Sequence, residues 1–376
     1  MKKIVLIGPV YPYKGGISHY TGLMYKSLSK EYDTEMVSYA MQYPKILFKK
    51  EQKDYGNATF KIEDTKYWIN TANPFSCISS ALKIRKLCPD LVIFQWWHPY
   101  FAPCYWLMER ILGRKIRKLF LCHNVFPHER FPADRFLSRL VLKKGDCFIT
   151  HSGLDTRDLL SIKPKAIYRQ TVIPTYNAFK MQDLSKVAAR QILKAKDTEK
   201  ILLFFGLVRE YKGLKHIIKA LPDIIKELPE IKLYIVGDFG ENEDEYLKVI
   251  NECGVMPYVQ IYGGYIPDKE VEKFFMASDL VVLPYESATQ SAVVQTAFGF
   301  EKPVIVTDVG GLPEVVDDGK TGYVVPVNNE QELAAATIRF FKEDKATEFK
   351  EHIREKAYKF SWERMNKMIQ ELMGDE

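Results

Sequence analysis

ILLFFGLVREYKGLKHIIKALPDIIKELPEIKLYIVG, residues 201–237, holds two apolar strand-type runs, ending at Gly206 and Gly237, on either side of a loop and an amphipathic helix. A buried strand that returns through a helix to a second buried strand pairs with it in parallel. The same alternation runs before this stretch in KIVLIG, LVIFQWW, KLFLCHN and CFITHS, and after it in VQIYGG, LVVLPY and PVIVTD. The series occurs once in each half of the chain. The expected fold class is therefore α/β, with two doubly wound, Rossmann-like domains facing each other across a cleft. Length agrees, because 376 residues exceed what one core usually supports. A break within VIPTYNAF (172–179) gives a first domain at 1–180, a second at 181–355 and a closing helical segment at 356–376.

Composition narrows the class. With 47% apolar and 27% charged residues and no low-complexity tract, the chain reads as a globular protein. MKKIVLIG enters a strand at once, and no later apolar run reaches membrane-spanning length, so a cytoplasmic protein is expected. Six cysteines show no CxxC or paired spacing, which argues against a disulfide frame or a zinc knuckle and for reduced thiols. The net charge of +6 hides an asymmetry: residues 1–180 hold 29 Lys and Arg against 14 Asp and Glu. A basic half suits an anionic acceptor or lipid headgroup. The chain has no basic-aromatic motif for nucleic acid.

In doubly wound sheets ligands bind beyond the carboxyl ends of the strands, so four loops matter: GPVYPYKGGISHY, CHNVFPHE, FGLVREYKGL and PYESATQSAVVQ. FGLVREYKGL places Arg209 and Lys212 three residues apart after Gly206. Arg as a planar fork and Lys as a point charge suit a diphosphate, whereas the ordinary alternative is a solvated turn. In PYESATQSAVVQ, Ser287 and Gln290 have capping-box spacing, which predicts a helix from about Ala288. The amides of Thr289, Gln290, Ser291 and Ala292 would then face an anion at the helix's positive end. A cap that binds nothing is the competing reading.

Gly15 and Gly16 precede a helix whose apolar face is Tyr20, Leu23, Met24 and Leu28; adjacent glycines let backbone approach a phosphate or sugar, or simply make a tight turn. Neither GK[ST] nor GxGxxG is present. His123 ends a strand, where a neutral imidazole can hydrogen-bond a substrate; His128, His98, His19 and His151 read more readily as structural. Asp238–Gly240 spells DFG by chance, and ENEDEY from Glu241 reads as the acidic start of a helix. The segment 105–120, with RFLSRLVLKK downstream, is either a basic interfacial patch for anionic lipid or a core helix with a basic outer face.

With these residues in view, the chain resembles family 4 of the GT-B glycosyltransferases, the retaining sugar-nucleotide transferases. YPYKGGISHY resembles the family's glycine loop, FGLVREYKGL its Arg/Lys loop, KPVIVTDVGGLPEVVDDGKTGYVVP its C-terminal signature, and FSWERMNKMIQELM its last helix. The resemblance implies that Arg209 and Lys212 clamp the donor diphosphate, Gly16 lies against it, His123 contacts the donor sugar, no metal takes part and the last helix crosses back to the first domain. The family's two glutamates fall here on Ala288 and Thr296, with Glu286 and Gln295 as neighbours. Neither position is acidic.

The expected activity is sugar transfer from a nucleotide diphosphate to a hydroxyl of a glycan or lipid-linked acceptor, with retention and without metal or other cofactor. The catalytic candidates are Arg209, Lys212 and His123; the donor-binding set is Gly15, Gly16, Gly206, Glu286, Thr289, Gln290, Ser291, Ala292 and Thr296. The first domain would take the acceptor, and its basic surface would meet anionic membrane at the cytoplasmic face. The alternatives are a non-catalytic sugar-nucleotide-binding relative and, more remotely, an epimerase, which would need acid/base residues that this loop lacks.

Overall fold

The computed structural model describes residues 1–48, 51–56, 58, 60–127, 133–175 and 179–374. His128 lies outside them. The chain divides into two compact units: Met1–Val172 with Ser361–Glu376, and Ile173–Phe360.

Unit 1 runs β1 (Lys3–Ile7), α1 (Gly16–Leu28), β2 (Asp33–Met41), β3 (Lys66–Asn70), α2 (Pro74–Lys86), β4 (Leu91–Trp96), α3 (Ala102–Leu112), β5 (Arg117–Cys122), α4 (Asp134–Leu142), β6 (Cys147–Thr150), α5 (Gly153–Ile162) and β7 (Ile167–Gln170). Its strands form one parallel sheet in the order β3-β2-β1-β4-β5-β6-β7. Strand order reverses between β1 and β4, the point from which a doubly wound sheet offers its loops to ligands. All six residues of β4 are buried, and the expected face of α1 (Tyr20, Leu23, Met24, Leu28) is buried as well.

Unit 2 opens with α6 (Lys186–Ile192), then β8 (Lys200–Phe205), α7 (Leu214–Glu227), β9 (Ile231–Gly237), α8 (Glu243–Glu252), β10 (Val259–Gly263), α9 (Asp268–Ala277), β11 (Leu280–Leu283), α10 (Ala292–Gly299), β12 (Val304–Thr307), β13 (Gly322–Val325), α11 (Glu330–Lys342) and α12 (Ala346–Glu355). The sheet is again parallel, in the order β10-β9-β8-β11-β12-β13, with its reversal between β8 and β11. Leu214, Ile217, Ile218, Leu221 and Ile224 put one face of α7 into the core at helical spacing. Glu243, Asp244 and Glu245 sit in the first turn of α8, where the helix dipole favours them.

The last helix, α13 (Trp362–Met373), packs on α1 and β7 and so belongs to unit 1. Met365, Ile369 and Leu372 are buried, Asn366 Nδ2 donates to Ser27 O at 3.3 Å and Glu31 Oε1 at 2.8 Å, and Arg169 Nε meets Glu371 Oε2 at 2.7 Å. The unit boundaries fall after residues 172 and 360 rather than 180 and 355. Residues 357–360 form a 3-10 turn whose Phe360 carbonyl accepts the Thr175 N–H at 2.9 Å, which ties this turn to the start of unit 2.

Four strands fall outside the apolar runs. β3 and β7 are short edge strands with exposed positions, β2 begins with Asp, Thr and Glu, and β13 is four residues after a glycine turn. The segment 105–120 is not one helix. Gly113, at φ 73°, ends α3, and β5 starts at Arg117; Tyr105, Met108 and Leu112 are core residues, which removes their apolar surface from any lipid. No helix among the described residues is long and apolar enough to cross a membrane. All six cysteines are free, four of them buried.

Inside α3, Glu109 is 4% exposed and neither carboxylate oxygen has a hydrogen-bond partner among the described residues. Burial raises its pKa to about 9, against the opposing pull of Lys118. The native state therefore binds a proton that the unfolded state has released above its ordinary value of 4.5. Stability of unit 1 should fall as pH rises between about 4.5 and 9, by about 3 kcal/mol at pH 7. All five tryptophans (68, 96, 97, 106, 362) lie in unit 1, so urea unfolding followed by their fluorescence reads that unit. Glu109→Gln should flatten the pH slope; an unchanged slope would refute a protonated Glu109.

Candidate functional site

At the reversal point of unit 2, the loops after β8 and β11 press together. Gly213 adopts φ 64° and ψ 26°, and a Cβ there would lie 1.9 Å from the Pro284 carbonyl oxygen, so only glycine permits both the left-handed turn and the approach. The Glu286 N–H donates to Tyr211 O at 2.7 Å, which closes the seam. Gly206, at φ 107°, is the second glycine with a reason: a Cβ would stand 3.3 Å from Lys212 Nζ and 3.7 Å from Val293 Cγ2. The Lys212 ammonium therefore lies beside the first turn of α10.

The Lys212 ammonium makes no hydrogen bond or ion pair with any described residue and lies 5.6 Å from the Tyr285 ring centroid. Burial, and then the charge of Arg209, lower its pKa to about 8. Arg209 donates Nη1–H to Val208 O at 3.0 Å, and no carboxylate among the described residues pairs with it. Two cations that repel each other, without a counter-ion and beside a helix N-terminus, make a seat for an anion carrying more than one negative charge.

The helix does not start where the capping box places it. α10 begins at Ala292 with Ser291 as N-cap and no side-chain cap, because the preceding residues are held in another conformation. Gly311 N–H donates to Thr289 O at 2.9 Å, Gln290 Nε2 reaches Gly311 O at 3.4 Å, and a Cβ on Gly310 would lie 1.6 Å from Ala288 O. The glycine pair of the C-terminal signature thus braces residues 288–290 from behind. Thr289 and Gln290 accordingly stand outside the helix, and its unsatisfied first-turn amides are those of Ala292 to Val294.

Ala288 is buried, and Thr296 turns its hydroxyl back to Ala292 O at 2.9 Å. Neither supplies charge. Gln295 is fully buried, and its amide has no hydrogen-bond partner among the described residues. Glu286 is committed elsewhere: its Oε1 lies 3.0 Å from His216 Nε2, while His216 Nδ1 lies 2.9 Å from Glu330 Oε1. Sequence reading missed His216 and Glu330. The former looks like an ordinary position of an amphipathic helix, and the latter is remote in the chain.

The other candidates lie in unit 1. Gly15, at φ 105° and with open space where a Cβ would go, is the N-cap of α1, and Gly16 is that helix's first residue. His123 follows β5, its Nε2 2.7 Å from Gln95 Oε1 and its ring edge-on to Tyr20 of α1 at 4.7 Å. Gln95 Nε2 points to Met24 Sδ at 3.4 Å, which leaves its oxygen toward the ring and makes His123 Nε2 the donor. Burial, then His151, hold His123 well below its ordinary pKa, so it is neutral at physiological pH. His98 caps the 3-10 turn before α3 by accepting the Tyr100 N–H at 3.1 Å.

Comparison with known proteins fits this geometry. The architecture is GT-B, and residues 185–360, nearly all of unit 2, match the family model for glycosyl transferases group 1. The chain is 25% identical over 260 residues to D-inositol 3-phosphate glycosyltransferase of Corynebacterium aurimucosum, covering 65% of this chain and 60% of that one. It is 26% identical over 251 residues to N-acetyl-alpha-D-glucosaminyl L-malate synthase of Bacillus anthracis, covering 65% and 63%. The alignments thus span less than two thirds of either relative. Among solved structures, Anabaena HepE in complex with UDP-glucose superposes over the whole of both chains with a TM-score of 0.77 at 17% identity.

Gly213→Ala should force the two loops of unit 2 apart. The expected cost is on the order of 2 kcal/mol or more in unit 2 stability. Calorimetric unfolding checks it; an unperturbed variant would remove the close approach as the organiser of this site.

Proposed function

We propose that the chain is a glycosyltransferase that moves a sugar from a nucleotide diphosphate to a hydroxyl of a glycan or lipid-linked acceptor, with retention and without a metal ion. The observation that carries this reading is the pair of uncompensated cations, Arg209 and Lys212, beside the first turn of α10 in the unit that matches the group 1 model. UDP-glucose bound to the structurally similar HepE supports a nucleotide-sugar donor.

In the proposed reaction the bond from the anomeric carbon to the diphosphate oxygen breaks as charge builds on the leaving group. Arg209, Lys212 and the amides of Ala292 to Val294 hold that charge, the work a divalent ion does elsewhere. The acceptor hydroxyl attacks from the side the diphosphate leaves, and its proton passes to the departing phosphate oxygen. No protein base is then needed, which suits a loop without acids at 288 and 296. Neutral His123, with Nε2–H bonded to Gln95, offers Nδ1 to a sugar hydroxyl, and Gly15 and Gly16 let backbone approach the donor. The basic charge of residues 1–180 suits a phosphate-bearing acceptor at an anionic membrane surface. The missing acids also support a second reading, in which the chain binds a sugar nucleotide without transferring it.

Thermal unfolding with UDP-, GDP- and ADP-sugars in excess EDTA tests the donor site. A ligand at a hundred times its Kd should add about 2.7 kcal/mol of stability, and the gain should vanish in Arg209→Ala/Lys212→Ala. No stabilisation by any donor would overturn the proposal, and stabilisation without hydrolysis or transfer would select the second reading.

The pH dependence has a definite sign. Free Lys212 loses its proton above about pH 8, while a bound diphosphate favours the charged form. Affinity for UDP should therefore be level below pH 8 and weaken up to tenfold per pH unit above it, with proton uptake on binding. Calorimetry in buffers of different ionisation enthalpy reads that uptake; its absence would exclude Lys212 from the anion seat.

A further inference from the structure

An acid whose backbone is bonded to the loop of the two cations turns its carboxylate to another partner. The bond from Glu286 N–H to Tyr211 O sets the Glu286 backbone beside the peptide that joins Tyr211 to Lys212, yet its carboxylate points to His216. His216 stands in the first turn of α7, behind Gly213, and its other nitrogen faces Glu330 at the start of α11. Each ring nitrogen lies within hydrogen-bond distance of a carboxylate, so each acid helps to hold the ring for the other. Burial pushes the Glu330 carboxylate up, but the hydrogen bond with His216, with smaller pulls that include Lys219, holds it below its ordinary value.

We infer that His216 is a positioning residue: braced by Glu330, it clamps Glu286 and keeps that carboxylate from occupying the anion seat formed by Arg209 and Lys212. The inference rests on the donor-site reading above and adds a device to it. Glu286 tethered one peptide away has a high effective concentration at the seat. Released, it would pair with Lys212 and act as a built-in competitor of the diphosphate. The clamp also explains how a lysine with a lowered pKa stays unpaired next to an acid.

The test uses the full chain, with EDTA and inorganic pyrophosphate, which has no sugar hydroxyls. His216→Ala should weaken pyrophosphate binding about tenfold, Glu330→Gln should weaken it less, and Glu286→Gln should bind at least as tightly as the native chain. Adding Glu286→Gln to His216→Ala should restore affinity to within about threefold of Glu286→Gln alone. A loss in His216→Ala that Glu286→Gln does not relieve, or no loss at all, overturns the clamp. NMR titration of the Lys212 ammonium gives a reading that needs no ligand: its pKa should rise in His216→Ala and return in the double variant. If native protein fails to bind pyrophosphate, the donor-site reading fails; if the titration then shows no rise, the clamp fails independently.

Discussion

Only a hydrogen fits between the Gly213 Cα and the carbonyl of Pro284. This contact fixes the rest of the site, because it joins the two loops that flank the strand reversal in unit 2. With the loops in contact, Lys212 lies over Tyr285 and next to the start of α10, and Glu286 is caught by Tyr211 and His216. The sheet supplies rigidity beneath it: β8 and β11 are adjacent central strands, so the loops leave from positions that cannot drift. A flexible pair of surface loops could carry the same residues without holding two like charges together.

Holding them is an electrostatic expense that the ligand-free fold bears. Lys212 is partly desolvated and repelled by Arg209, and no carboxylate among the described residues pairs with either. Where another site would place acids among such cations, this one has alanine, a back-bonded threonine and a buried amide. Under the proposed function, this arrangement is matched to a charge that arrives from outside.

Much of this was legible in the sequence. Central strands such as LVIFQWW and ILLFFG announce themselves because both faces are buried, and the Arg209/Lys212 loop follows from its place after such a strand. The edge strand β7 did not, since it is four residues long and exposes most of them. The capping-box reading of Ser287 and Gln290 failed for a tertiary reason: Gly310 and Gly311, twenty residues downstream, claim the backbone that a helix start would need. Local spacing cannot reveal that competition. Nor can it reveal His216 and Glu330, whose meaning exists only once α7, α11 and the β11 loop have been assembled.

The placement of α13 bears on how the chain comes into being. Unit 1 is made of Met1–Val172 and Ser361–Glu376, and the residues of unit 2 come between them in the sequence. During synthesis, unit 2 has all its residues before Trp362 has been made, whereas unit 1 waits with Ser27, Glu31 and the outer side of α1 uncovered. Of the two units, the one that begins first is thus the last to be finished, and a ribosome that stalls between Phe360 and Met373 leaves a complete second unit attached to an open first one.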